Sequence, residues 1–519
     1  MTDPIIFQIK AGDYDGGGKA SRALKEHLKK VGADGKAVRR AMIASYEAEM
    51  NVVIHSVGGQ MTIQIEGDRL SVEVKDEGPG IADLNLAMRE GYSTAPAKAR
   101  EYGFGAGMGL PNIKRNSDEF HIQSQVGEGT TLQFKVLLKQ PELSAGTPHS
   151  VHIRAALCRL CKECLRSCPT RAVRVRNGSP QILEHLCIDC NACIGECPTD
   201  ALSIKSAFNT QSSLRGTLVV SGAFLAQFGT AFPADVVLQA LKALGFERIH
   251  ILESWSLGIQ QASVEYAHRQ TESQTVIVPT CPAVLNLIQL RFPSLIPHVA
   301  PFLTPLESAE AMLHTDKPAF MAFCPSQRSR LREHKVYDER ILIPSDLRSR
   351  VLTWLNANAG IELLSQRGSN VESDSEILSV CGLEHVMGVL NDIEDGLLRD
   401  IGVVELLGCD QGCFGSPLLS EDCYVAANRW RRCGACTVVH PAVPRLEPLV
   451  ARAGIRLDEN MLRAIMKLKQ MQEVRSMLPG RDCGVCGAPT CDDLAEDVVL
   501  NRADMAQCAY LGQQGDQRR

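Results

Sequence analysis

Hydrophobic and polar positions follow two different rhythms along this chain. Near its start, IIFQIK has the two-residue alternation of a strand, and residues 17–31 and 36–56 space their apolar side chains as helices do. MTIQIEG and RLSVEVKD then alternate as one hairpin, and FHIQSQVGEGTTLQFKVLL as a second. These patterns predict a helix-and-sheet sandwich over residues 1–140. From 216 to about 470, short apolar runs (GTLVVSGA, RIHILES, TVIVPTC, PAFMAFC, VVELLGC) alternate with helical stretches such as DVVLQALKALGF. That order predicts an α/β region with cysteines at strand ends, where sites in such folds collect. Residues 141–150, within KQPELSAGTPHS, read as a linker, and 512–519 as a tail.

At 519 residues the chain is too long for one core, and about three to five domains are expected. With 55 basic against 60 acidic side chains there is no electrostatic footprint for nucleic acid, so no nucleic-acid partner is expected. No leader pattern and no long uninterrupted apolar stretch is present, which points to a soluble, cytoplasmic protein without membrane insertion. Twenty cysteines change the picture, because none precedes Cys158 and the last is Cys508. Their short, clustered spacings fit metal ligation and not a disulfide framework.

Three motifs lie in order on the first domain. YEAEMNVVIHS places Glu47, Asn51 and His55 four apart, on one helix face. VKDEGPGI ends a strand at Asp76 and continues through Gly78 and Gly80. YGFGAGMGLPNIKR carries Gly103, Gly105, Gly107 and Gly109 into a helix, a combination that suits phosphate because free backbone N–H groups face the anion. Together, over residues 1 to about 138, they resemble the nucleotide site of the GHKL ATPase superfamily. GMGLPNIKRNSDEF is most similar to the anti-sigma-factor serine kinases of bacterial stress and sporulation switches. The resemblance implies ATP with Mg2+ held by Asn51, Glu47 as general base, Asp76 accepting from the adenine amino group, and the glycines shaping pocket and lid. The output it implies is serine or threonine phosphorylation of a partner, or nucleotide-dependent binding. Histidine kinases share this fold, but the one histidine before the asparagine helix, His27, lacks a dimerisation hairpin and reads as a solvated-face residue.

CRLCKECLRSCP and CIDCNACIGECP both read CxxCxxCxxxCP, the second run opening 19 residues after the first closes. This is the bacterial two-cluster ferredoxin pattern, in which the fourth cysteine of each run ligates the other cluster. The resemblance implies one cluster on Cys158, Cys161, Cys164 and Cys197 and another on Cys187, Cys190, Cys193 and Cys168, within residues 151–210. CGVCGAPTCDDLAED followed by MAQC supplies Cys483, Cys486, Cys491 and Cys508. That spacing resembles the small 4Fe-4S domain of electron-transfer subunits and corrinoid proteins, here over 478–511, with zinc as the alternative.

Cys281, Cys324, Cys409 and Cys413 stand at the expected strand ends of the α/β region, residues 216–470. PTCPAVLNLIQLRFPSL, FCPSQRSR and ELLGCDQGCFGSP resemble the three cysteine signatures of the iron-only hydrogenase large subunit; VLNDIEDGLL and SPLLSEDCYVAANRWRR add to the likeness. A ferredoxin module before and a small cysteine domain after resemble the sensory branch of that family. The resemblance implies a further cubane on these four cysteines. Catalytic hydrogenases have a proton-relaying cysteine where this chain has Thr280, a cyanide-contacting lysine at Gln327, and methionines at Ala322 and Leu407. A neutral amide cannot compensate anionic ligands as an ammonium does, and a hydroxyl is a poorer proton carrier than a thiol. These replacements argue against a diiron hydrogenase centre and leave the cubane ligands intact. Cys433 and Cys436, with Cys423, read as either a redox or metal pair or as spare thiols, and Cys381 as core.

The expected architecture is multidomain, α/β and α+β: a GHKL α/β sandwich, a two-4Fe-4S ferredoxin fold, an iron-only hydrogenase-like α/β domain and a small helical 4Fe-4S domain. The expected function is an ATP-binding iron-sulfur signalling protein that couples cluster redox state, or hydrogen, to an anti-sigma or serine-kinase-like output. The alternatives are an iron-only hydrogenase or ferredoxin-dependent oxidoreductase with a regulatory ATP domain, and an electron-delivering scaffold. Expected partners are a ferredoxin or electron-transfer subunit and an anti-sigma-antagonist-like or other signalling protein.

Overall fold

The computed structural model describes residues 4–14, 16–101, 104–138, 143–144, 149–206, 216–270, 274–358, 376–398, 400–433, 438–452, 454 and 456–511. Most of the expected linker and all of the expected tail, 512–519, lie outside the described residues. The chain forms two compact units, one of residues 1–143, 453–481 and 491 onward, the other of 144–452 and 482–490.

In the first unit, strands β1 (Ile5–Lys10), β2 (Gly58–Glu66), β3 (Arg69–Asp76), β4 (Glu119–Gln125) and β5 (Gly129–Leu137) form one antiparallel sheet in the order β1-β2-β3-β5-β4. Their alternation buries one face: Met61, Ile63 and Ile65 from β2, Leu70, Val72 and Val74 from β3, and Leu132, Phe134 and Val136 from β5. Helices α1 (Lys19–Val31) and α2 (Gly35–His55) supply apolar side chains such as Leu24, Leu28 and Val52 to that core. Helix α2 starts where the Asp34 carboxylate accepts from Ala37 N at 2.9 Å. Short helices α3 (Leu84–Ala87), α4 (Ala97–Glu101) and α5 (Gly109–Arg115) lie between β3 and β4.

A later segment completes this unit. Helix Met461–Met477 packs against α1 and buries Ile465, Leu468 and Met471. His27 is therefore not on a solvated face: its Nδ1 lies 2.7 Å from Ala23 O, and Gln472 Nε2 is 3.1 Å from its Nε2. With Nδ1 donating to the carbonyl, Nε2 accepts from the amide. No local signal could reveal a helix more than 400 residues away.

The second unit contains two parallel sheets, Phe246–Ile251, Gly216–Val220, Ala319–Met321, Ile341–Leu342 in that order, and Val276–Val278, Val403–Leu407, Ile377–Cys381. Helices follow the strands, as parallel connections require. The same unit holds the duplicated cysteine runs, flanked by the hairpin Val173–Arg176/Ser179–Ile182 and the pair Val151–Ile153/Leu202–Ile204. No helix among the described residues is long and apolar enough to cross a membrane.

One charge cluster ties the hydrogenase-like region together. Glu307, 1% exposed, accepts from Thr304 N at 2.7 Å and pairs with Arg445 at 3.3 Å and His334 at 3.4 Å. Burial works against its charge, but His334, Arg330 and Arg445 hold its carboxyl well below the usual range, while the bond to Glu307 raises His334. We expect Glu307→Ala to cost about 3–5 kcal/mol, because it leaves Arg445 buried and unpaired. Glu307 contributes above its unfolded pKa near 4.5 and loses that contribution as pH falls through its lowered folded value. His334 contributes fully below its unfolded pKa near 6.5 and loses it as pH rises through its raised folded value. Denaturant unfolding should thus show the wild-type advantage over Glu307→Ala greatest between about 4.5 and 6.5.

Candidate nucleotide and thiolate sites

Helix α2 turns Glu47 and Asn51 toward the start of α5. A Cβ added to Gly109 would lie 3.1 Å from Asn51 Oδ1 and 3.5 Å from Glu47 Oε2, so the loop runs close beside both side chains. Asn112 Nδ2 donates to Glu47 Oε1 at 2.7 Å, an orienting contact that the motif reading missed. Asn51 Nδ2 is buried with no hydrogen-bond partner, and a buried amide in that condition calls for a polar ligand. Asp76 ends β3 and accepts from Gly78 N at 2.8 Å. Gly107 is left-handed at φ +71° and its carbonyl accepts from Gly91 N at 3.0 Å; Gly105 is also left-handed. Glu47, Asn51 and Gly109 are thus brought together, Asp76 and Gly78 meet at the strand end, and Gly103 lies outside the described residues. These groups fit a magnesium nucleotide in kind: a carboxylate, an unpartnered amide and a glycine loop beside them.

The duplicated runs show an internal translation in backbone as well as sequence. Cys158, Cys161, Cys164 and Cys168 recur 29 residues later as Cys187, Cys190, Cys193 and Cys197. The non-glycine residues Leu160, Lys162 and Arg171 have positive φ, and so do Asp189, Asn191 and Asp200, their counterparts at the same offset. Such conformations cost about 1 kcal/mol each, and here they aim N–H groups at sulfur: Leu160 N lies 3.4 Å from Cys158 Sγ and Asp189 N 3.4 Å from Cys187 Sγ. Cys158, Cys161, Cys164 and Cys197 line one cavity. Burial, then the neighbouring Cys161, Cys197 and Cys158, pushes the Cys164 thiol up to about 11. Cys190 and Cys193 are likewise raised by burial and by facing each other and Cys168.

In the parallel sheets the cysteines stand at carboxyl ends of strands. Cys281 follows Val276–Val278 and caps helix Pro282–Arg291; Cys324 follows Ala319–Met321 and caps Pro325–Glu333, accepting from Gln327 N at 3.4 Å. Cys409 and Cys413 follow Val403–Leu407. Burial raises all four thiols; Cys324 also feels Cys281, Cys413 and Cys409, so the three loops converge. Gln327 Nε2 lies 3.5 Å from Cys413 Sγ, and its Oε1 accepts from Phe323 N at 2.7 Å. Thr280 Oγ1 donates to Glu405 Oε1 at 2.7 Å. Among the described residues no group of three or more His, Cys, Asp or Glu is placed to hold a single metal ion. Directed N–H donors and mutually facing thiols fit iron-sulfur ligation in kind.

Cys381 is partly buried at the end of Ile377–Cys381 and accepts from Gly412 and Gln411 backbone, so it stands beside the Cys409 loop and not in a core. Cys423 begins and Cys433 ends helix Cys423–Cys433, and Cys436 lies outside the described residues. Cys483 and Cys486 belong to the second unit, Cys491 and Cys508 to the first. Sequence reasoning missed Asn191, Asp189, Glu253 and Glu405. Asp189 accepts from Ser329 Oγ at 2.6 Å and Ser150 N at 3.1 Å. Glu253 is buried on Ser221 and Gly222 N, and burial raises its carboxyl.

Fold and site together define an iron-sulfur protein fused to a GHKL-type ATPase. The family model of histidine kinase-, DNA gyrase B- and HSP90-like ATPases matches residues 39–140, and that of the 4Fe-4S dicluster domain matches 150–208. The C-terminal domain of the iron only hydrogenase large subunit matches 217–323, and the model of an Fe-S cluster domain matches 478–510. The hydrogenase match thus ends before Cys324. The serine/threonine-protein kinase RsbT of Bacillus subtilis is 37% identical over 98 residues, 18% of this chain and 68% of RsbT. An anti-sigma F factor of Geobacillus is 31% identical over 100 residues, 19% of this chain and 62%, less than two thirds, of that protein. Through its first domain the chain belongs to the family of the serine/threonine-protein kinase RsbT. The match to the apo [FeFe]-hydrogenase HydA1 of Chlamydomonas reinhardtii covers 45% of this chain and 88% of HydA1, at 11% identity and TM-score 0.35, a likeness too low to carry argument.

Glycines with positive φ separate strain from space. A Cβ on Gly107 would collide with the Gly91–Tyr92 backbone, whereas one on Gly127, φ +86°, meets nothing within 4 Å. Gly127→Ala should cost about 1 kcal/mol in denaturant unfolding, and Gly107→Ala clearly more.

Proposed function

We propose that this protein is an ATP-binding iron-sulfur signalling protein in which the redox state of its clusters biases nucleotide binding, or phosphorylation of a partner, by residues 1–138. The observation that carries this reading is the path of the C-terminal segment. Residues 453–481 and 491 onward belong to the unit of the ATPase, and the cysteine loop 482–490 belongs to the unit of the ferredoxin-type and hydrogenase-like cysteines. One continuous stretch of chain therefore serves both.

In this reading Asn51 holds Mg2+, Glu47 acts as general base oriented by Asn112, Asp76 accepts from the adenine amino group, and Gly78, Gly80, Gly103, Gly105, Gly107 and Gly109 shape pocket and lid. Bound clusters supply one-electron redox change. Four are assigned: two on the ferredoxin runs, one on Cys281, Cys324, Cys409 and Cys413, and one on Cys483, Cys486, Cys491 and Cys508. Signalling partners are an anti-sigma-antagonist-like protein on the ATPase side and a ferredoxin or electron-transfer subunit on the other. Gln327 and Thr280 are engaged with protein groups and offer neither an ammonium nor a thiol to a diiron centre.

Coupling between two sites is reciprocal and is typically about 1–3 kcal/mol. ATP affinity of cluster-loaded protein should differ between oxidised and dithionite-reduced states by at least about fivefold, and ATP should shift a cluster potential by the same free energy. Equal affinity in both states would sink the proposal, and Asn51→Ala should abolish binding in both. Infrared spectra of anaerobically matured protein should lack carbon monoxide and cyanide bands while iron analysis finds about four cubanes. Bands that move under hydrogen would instead establish a hydrogen-responsive centre at residues 405–417.

A further inference from the structure

The 29-residue translation within the ferredoxin-type module creates two equivalent positions for outside loops, and two cysteine loops occupy them. Lys162 and Asn191 hold the same place in the two runs, between the second and third cysteine, and both are left-handed. Lys162 Nζ donates to Val485 O at 2.7 Å, and Val485 lies between Cys483 and Cys486. Asn191 Oδ1 lies 3.9 Å from Cys409 Sγ. Neighbouring contacts repeat the arrangement. A Cβ on Gly484 would lie 3.4 Å from Leu165 Cδ2, and Val175 N donates to Gly487 O at 2.9 Å. On the other run, a Cβ on Gly195 would lie 3.3 Å from Pro417, and Leu418 packs against the core that both Leu165 and its counterpart Ile194 share.

We infer that the loops carrying Cys483/Cys486 and Cys409/Cys413 are docked on equivalent seats of the two cysteine runs, with Lys162 and Asn191 as their positioning residues. The thiolate sites then form one series: C-terminal loop, first ferredoxin set, second ferredoxin set, hydrogenase-like set. Two further observations agree. Cys193 packs against the core that contains Cys164, so the two ferredoxin sets meet inside the module. Asn191 is 4% exposed and its Nδ2 has no partner. When Cys409 is a thiolate it can only accept, so the amide presents Nδ2 to sulfur, and the orphan donor is satisfied.

The two seats differ in chemistry. Lys162 brings a flexible cation to a backbone carbonyl near the surface, whereas Asn191 brings a neutral, buried amide to a sulfur. The first contact is exposed and the second part-buried. A one-electron donor such as dithionite would reduce one site of the series, and an electron passing on would oxidise that site while reducing the next. The C-terminal loop is thus the end of the series with the looser seat.

This inference rests on reading the thiol sets as cluster ligands, and its test separates the two. Hydrogen exchange of the full chain is measured first without metal. Lys162→Ala should speed amide exchange in residues 482–490 by about tenfold, the loss expected for one bond from a charged donor, and leave 405–417 unchanged. Asn191→Leu should do the reverse. Equal effects on both loops, or on neither, would overturn the seats. The chain loaded with iron and sulfide and fully reduced by dithionite is then read by electron paramagnetic resonance. Lys162→Ala should narrow, through lost spin coupling, the component that Cys486→Ser removes. Asn191→Asp, which keeps the side-chain shape, should lower the potentials of the components that Cys324→Ser and Cys193→Ser remove and leave that of the component that Cys486→Ser removes unchanged. A potential shift spread over every component would overturn the order of sites. Failure to load iron would sink the ligand reading while the exchange result stood.

Discussion

The second unit depends on bringing thiols together where water is scarce. Burial and mutual repulsion push Cys164 up to about 11 and Cys413 to about 12, and hold Cys190 and Cys409 higher still. Without metal these groups are neutral thiols with weak mutual attraction. Bound iron would take them as thiolates and compensate their charge, so metal binding would be coupled to the release of protons. Six left-handed non-glycine residues sit in the cysteine module at a cost of about 1 kcal/mol each, and two of them, Leu160 and Asp189, aim their N–H groups at sulfur.

How much of this was legible in the sequence depended on whether the signal was local. The 29-residue repeat is local, and the structure repeats it down to individual φ signs. The strands and helices of the ATPase domain were also legible, because a one-sided sheet writes its burial as strict alternation and the helices beside it keep their own period: helix 36–56 was expected and Gly35–His55 observed. Convergence of Cys281, Cys324 and Cys409 was not legible from spacing, since three loops of two separate parallel sheets must meet. Strand Ile377–Cys381 and the split into two sheets were missed for the same reason. His27 was misread as solvated because its cover is a helix hundreds of residues later. Asn191 gave one faint clue, a residue with high left-handed propensity between two ligating cysteines.

The glycine loop of the ATPase domain shows a different kind of constraint. Gly107 is required by space against the Gly91–Tyr92 backbone, and Gly109 lies tight against Asn51 and Glu47. Their spacing is plain in the sequence, but what they approach is not. Only the fold shows that the carboxylate and amide of α2 look at the same few residues of loop, which is what makes a motif into a candidate site.

Around the hydrogenase-like set, the polar side chains nearest the thiols are neutral or acidic. Glu405 is 6% exposed and receives bonds from Thr280, Gln260 and Ser379, so the position beside Cys281 is occupied by a hydroxyl committed to a carboxylate. Gln327 spans Phe323 N and Cys413 Sγ, an arrangement that steadies the thiolate through one neutral donor. A centre with anionic diatomic ligands needs a nearby cation, and this face offers a second carboxylic acid, Glu253, whose buried carboxyl is raised. A cubane bound here would tolerate these surroundings because its thiolates would be bonded to iron, with Gln327 and Asn191 placed beside them as neutral amides. The loop at 405–417 is therefore best understood by its neighbours: it meets the second cysteine run where Cys409 Sγ lies 3.9 Å from Asn191 Oδ1.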